Sequence, residues 1–207
     1  MFVFCHEDFQ PLSSLADFLI EADHAKIYGP TGTSTRRWCK WLFGGYYQSA
    51  MLGRIRQSRK DGTCLAEFGQ EVPQGTIVEL LDCQCLVVHS SLVAKYNLRF
   101  DNQFEFHCYA EDFCATAIEE YGIQSAILPL QCQHWSPGNI SSGYAEAAHS
   151  FNMKHPRAAY SAPVSLVLGG GVPWNWRLQV EALYFINQKY PHMTQILKKL
   201  FRTLSHH

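Results

Sequence analysis

Residues 98–134, LRFDNQFEFHCYAEDFCATAIEEYGIQSAILPLQCQH, hold the pattern that decides the fold. The stretch begins with an aromatic approach, Phe104-Glu105-Phe106-His107-Cys108-Tyr109, and stops at the acidic pair Glu111-Asp112. From there the spacing predicts a helix of about three turns, closed by Gly122 at a left-handed stop position. A short buried strand follows over 125–130 and delivers His134 beyond its end. An acid pair opening a helix sits in the positive field of unpaired N–H groups, so both carboxylates are expected to stay ionised. That suits a general base, a metal ligand or an N-cap, the cap being the commonest use.

Outward toward the N-terminus, Met1-Phe2-Val3-Phe4-Cys5 is apolar and β-prone, and His6-Glu7-Asp8 follows at once. Open α/β sheets place their ligands at the carboxyl ends of strands. Imidazole with carboxylate suits Mn or Zn there, and carboxylate alone suits Mg. Leu12, Leu15, Phe18 and Leu19 predict an amphipathic helix over 11–23, and 26–28 predicts a short strand. Gly29 and Gly32 lie in a turn-rich loop with no lysine at the P-loop position, so a Walker-type phosphate site is not expected. Residues 36–47 interleave Arg36, Arg37 and Lys40 with Trp38, Trp41, Tyr46 and Tyr47. Such rings stack on bases, pack on the apolar face of a sugar, or form the rim of a core. Asp61-Gly62 marks a hairpin within 54–67. The segment 76–89 reads as the most apolar β stretch, yet it carries Glu79 and Asp82, which must be paired or face a ligand.

Toward the C-terminus, helices are expected over 144–154, 176–190 and 194–204. The last sets Ile196, Leu197, Leu200, Phe201 and Leu204 against Lys198, Lys199 and Arg202. Such a basic amphipathic face either rests peripherally on a membrane or packs on its own domain, and packing is the expectation.

At 207 residues and 47% hydrophobic side chains, the chain is long enough for one globular domain with a small appendage. A net charge of -1 gives no electrostatic reason to expect nucleic acid. Eight cysteines form no CxxC pair and sit in apolar runs, which predicts free thiols in a reducing, cytoplasmic setting. No apolar run approaches the ~20 residues needed to span a bilayer. The first five residues are too short for a signal peptide. A hydrolase elbow of the G-x-S-x-G kind is absent, and the Cys/His spacing fits no closed zinc site.

In order, Phe2-Val3-Phe4-Cys5-His6-Glu7-Asp8, Gly29-x-x-Gly32, Val78-Glu79-Leu80-Leu81-Asp82, Phe100-Asp101, 106–114, Gly122 and His134 resemble the family-2-like glycosyltransferases with a GT-A fold. The resemblance covers residues 1–155 and leaves 156–207 as a C-terminal helical extension. It implies an α/β fold, a GT-A-type mixed sheet flanked by helices, and transfer of a sugar from a nucleotide-sugar donor to a glycan or other acceptor hydroxyl, with inversion. Asp8 and His6 would hold a divalent cation, Mn or Mg, on the donor pyrophosphate, and His134 resembles the histidine completing that coordination. Asp112 resembles the general base, with Glu111 as its neighbour and fallback. Asp82, His107 and Tyr109 would line the acceptor side, and Trp38 offers a ring to the same acceptor. Ala110, Cys83 and Asn102 stand where the family carries Asp, Gly and Glu. The nucleotide-binding half, on the order of 80–100 residues of βαβ units, normally precedes the metal strand. This chain is therefore expected to be an incomplete fold whose sheet lacks its first parallel strands and leaves an edge open, either because its start lies inside a longer reading frame or because it is a remnant. The alternative is an inactive remnant serving as a carbohydrate-binding or partner-docking module through Trp38, Trp41, Tyr46 and Tyr47. A chain of either kind is expected in the cytoplasm, and a peripheral contact with the inner membrane through the last helix is the alternative to packing.

Overall fold

Successive side chains of a strand point to opposite faces, and the central strands use both faces for burial. The computed structural model describes residues 1–33, 51–59, 61–135, 142–156 and 176–190. In chain order the strands are β1 (Phe2–Cys5), β2 (Phe9–Pro11), β3 (Ile27–Gly29), β4 (Gly32–Thr33), β5 (Met51–Leu52), β6 (Ile55–Ser58), β7 (Cys64–Phe68), β8 (Ile77–Val78), β9 (Leu80–Leu81), β10 (Cys85–Val88), β11 (Ser125–Ile127) and β12 (Cys132–His134). The helices are α1 (Leu15–Leu19), α2 (Ser90–Tyr96), α3 (Tyr109–Tyr121), α4 (Ser142–Lys154) and α5 (Trp176–Lys189).

The main sheet has the order β1-β10-β3-β11-β8, with β3 and β11 parallel and the other neighbours antiparallel. On one face Ile27, Leu86, Val88 and Ile127 join Phe113, Cys114 and Ala117 of α3 and Tyr144, Ala148 and Phe151 of α4 in the main core. Tyr28, Cys85, Val87 and Ala126 point the other way and meet Ala22, with Leu15, Phe18 and Leu19 packed alongside. A second sheet, β2-β12-β6-β7, and a third, β5-β4-β9, complete a mixed α/β architecture.

Helix α3 follows its sequence closely. It ends at Gly122, whose φ of 68° lets the Gly122 and Ile123 N–H groups turn back to the Ile118 and Ala117 carbonyls. The hairpin also forms: Arg59 N–H donates to the Thr63 carbonyl and Gly62 takes φ 86° between β6 and β7.

Four expectations change. The helix over 11–23 shrinks to five residues, because Pro11 belongs to β2 and Leu12 N–H donates to the Gln131 carbonyl at 2.7 Å. The stretch 76–89 is three strands rather than one. β8 pairs with β11, β9 pairs with β4, and a turn at 82–84 sends β10 back into the main sheet. The strand expected over 125–130 stops at Ile127, and His134 beyond it ends a further strand, β12, which pairs antiparallel with β2 and parallel with β6. Finally, Glu111 and Asp112 do not cap α3. Its N-cap is Cys108 at φ 60°, without a side-chain hydrogen bond, and both acids lie buried in the first turn.

Among the described residues strand β1 lies at the sheet edge, paired with β10 alone, and all four of its residues are exposed. Helix α5, the first of the expected extension, joins α4 through Glu181, which accepts from Asn152 Nδ2 at 3.0 Å and meets His149 Nδ1 at 2.7 Å. The expected helix at 194–204 lies outside the described residues. Among the described residues no helix is long and apolar enough to cross a membrane.

Candidate metal centre

Three strand ends supply the site. β1 ends just before His6, whose N–H donates to the Gln84 carbonyl at 3.0 Å and so holds the residue beside the 82–84 turn. Asp8 precedes β2, and its carbonyl accepts from Trp135 N–H at 2.9 Å. His134 faces Phe9 in the β2–β12 register, which places it directly across from the residue after Asp8. Asp8 Oδ1 lies 3.1 Å from His134 Nε2 and 3.7 Å from His6 Nδ1. One ligand atom from each of His6, Asp8 and His134 falls within 4.8 Å of the others, the one such group of three among the described residues.

The donor chemistry fits a divalent ion. Two imidazoles and one carboxylate suit Mn or Zn, and the same set serves non-haem iron(II). Burial is the largest influence on His6 and lowers its pKa below the ordinary imidazole value, against the opposing pull of Asp8. A neutral ring is the form that ligates. Behind the triad, Asp82 is buried and accepts from Gln84 Nε2 at 3.1 Å and from the Cys83 thiol at 3.3 Å. Burial pushes the Asp82 carboxyl up, while the Cys83 bond and the nearby His134 and His6 rings draw it back. Gln84 Oε1 is buried with no hydrogen-bond partner among the described residues, an acceptor with room for a further donor.

Aromatic side chains wall the other flank. The Phe106 ring stacks beside His6 at 6.0 Å and 19°, and Phe106 is 67% exposed. Tyr109 stands 6.0 Å from the same imidazole, and its hydroxyl donates to the Cys83 carbonyl at 2.7 Å. It thereby ties the start of α3 to the turn carrying Asp82. His107 is half-buried; burial, and then the His6 charge, lowers its pKa.

Six residues singled out from sequence thus gather at one place: His6, Asp8, His134, Asp82, His107 and Tyr109. Asp112 and Glu111 sit differently. Asp112 is 1% exposed; Lys154 Nζ reaches Oδ1 at 2.7 Å and Oδ2 at 3.0 Å, and His155 Nε2 reaches Oδ1 at 2.9 Å. Both oxygens are held by Lys154 and His155 at the end of α4, and the side chain is closed off from solvent. Glu111 is fully buried in the same turn. Trp38, with Trp41, Tyr46 and Tyr47, lies outside the described residues. Sequence reading missed Phe106 and Gln84 as site residues. The alternation of buried Phe104 with exposed Phe106 was the available signal for the first, and nothing in the sequence marked the second.

No protein-family model matches this chain, and no curated protein matches it.

Proposed function

We propose that this chain carries the metal-holding and acceptor-side part of a glycosyltransferase that moves a sugar from a nucleotide-sugar donor to an acceptor hydroxyl. The observation that carries the reading is the meeting of His6, Asp8 and His134 at three strand ends, with Asp82, Tyr109 and His107 around them. His6, Asp8 and His134 hold the divalent cation, which when bound offsets charge on the leaving diphosphate. Phe106 offers its exposed face to the apolar side of a sugar ring. Asp82, buried beside the triad, lines the acceptor side with Tyr109 and His107.

Titration calorimetry with MnCl2 and MgCl2, alone and with nucleoside diphosphates, tests the site. Binding of Mn is expected in the wild type and is lost in Asp8→Ala and His134→Ala. Absence of binding by the wild-type chain removes the reading. A panel of nucleotide sugars then tests turnover, for which Asp82→Asn should lower kcat and leave Mn affinity unchanged.

A second reading, sugar binding without turnover, is favoured by the burial of Asp112 and Glu111. Glycan binding that persists in EDTA, with no transfer from any nucleotide sugar, selects it.

A further inference from the structure

We propose that Cys5 and Cys85 form an oxidisable pair that closes to an intramolecular disulfide across β1 and β10. The two residues are direct cross-strand partners. Because His6 N–H donates to the Gln84 carbonyl, residues 6 and 84 are a hydrogen-bonded pair and 5 and 85 the adjacent non-hydrogen-bonded one. In such pairs the Cα atoms lie about 4.5 Å apart, within the roughly 4.4–6.8 Å that a disulfide spans. The thiols already touch, with Cys5 Sγ donating to Cys85 Sγ at 3.3 Å. Side-chain rotation brings them to the bonded distance of about 2.05 Å. Among the described residues this is the one sulfur–sulfur contact.

Exposure sets the order of events. Cys5 is exposed on the edge strand and Cys85 is buried beneath it, so a peroxide meets Cys5 first. The Cys5 sulfur attacks hydrogen peroxide, the O–O bond breaks, and Cys5 becomes a sulfenic acid with release of one water. The Cys85 sulfur then attacks the Cys5 sulfur. The S–O bond breaks, and the departing hydroxide takes the Cys85 proton as a second water. Two electrons pass from the thiols to the peroxide, and a reducing thiol reverses the step. The new bond pins the end of β1 to β10 at the residue before His6. The inference does not depend on the metal reading, since it uses neither the cation nor its ligands.

The test takes the full chain, reduced, and exposes it to stoichiometric hydrogen peroxide in the native state. The expected product has lost the mass of two hydrogens, releases a Cys5–Cys85 linked peptide on non-reducing digestion, and returns to the starting mass with dithiothreitol. Cys5→Ser, a change at an exposed side chain, should abolish the linked peptide. Cys132→Ser should leave it. Hydrogen exchange at the β1 amides should slow in the oxidised chain. A link joining other cysteines, oxygen added to Cys5 without cross-linking, or an unchanged mass overturns the proposal.

Discussion

Asp112 and Asp8 are both acids in a run of polar residues, yet their surroundings set them to opposite uses. Asp112 lies under Lys154 and His155, and those two reach onward to Asp101 and Glu119 at 2.8 Å and 2.7 Å. Removing one member of a buried charge network leaves the others uncompensated and costs about 3–5 kcal/mol. Asp112→Asn should therefore lower the unfolding free energy by about 3 kcal/mol in urea titrations and leave Mn affinity as it was. Asp8 is a third exposed, so Asp8→Ala should abolish Mn binding while shifting stability by about 1 kcal/mol or less. Mn affinity lost in Asp112→Asn would return that residue to the site. The contrast shows why one half of the site was legible and the other was not. His6-Glu7-Asp8 closes a β-prone run, so its position at a strand end follows from local sequence. The engagement of Asp112 depends on Lys154, 42 residues further on, and no local pattern reports a contact across that separation.

Helix α3 is joined to the end of α4 by that same network, and His155 makes the joint pH-dependent. Burial alone would lower the His155 pKa, but hydrogen bonds to Asp112 and Glu119 outweigh it and raise the pKa above 6.5. A raised folded pKa means that the group's stabilising contribution is complete below its unfolded value. That contribution is lost as pH rises through the folded value. The stability gap between wild type and His155→Gln should be widest below about pH 6.5 and narrow on the alkaline side, read by urea denaturation across pH. A gap that widens with pH contradicts the assignment. A second joint is steric. Gly53 has φ 81°, and a Cβ there would lie 1.9 Å from the Pro30 carbonyl oxygen. Gly53→Ala forces backbone apart between the β5–β6 link and the loop after β3, and should cost about 3 kcal/mol or more. Elements with a local stop signal, α3 with Gly122 and the hairpin with Asp61-Gly62, were legible from sequence. The 76–89 stretch was not, because its division into β8, β9 and β10 is decided by four partner strands, β11 for the first, β4 for the second, and β1 and β3 for the third.

At the scale of the molecule, the main sheet ends on β1 at one side and on β8 at the other. Phe2, Val3 and Phe4 are between 37% and 46% exposed, and among the described residues β1 has a neighbour only in β10. The hydrogen-bonded pair at 6 and 84 fixes the alternation. Phe2 and Phe4 share its phase and direct their backbone groups to β10, so Val3 and Cys5 present theirs outward. An apolar edge with free N–H and C=O groups is a template for another strand. A second copy of β1, run antiparallel, offers the complementary row. The isolated chain should therefore associate with rising concentration, read by sedimentation velocity. Val3→Pro deletes an outward N–H and leaves the bonds to β10 in place, a substitution that edge strands tolerate. It should shift the chain toward monomer with little change in circular dichroism. A wild-type chain that stays monomeric at high concentration would mean that this edge is already protected by its twist or its surroundings.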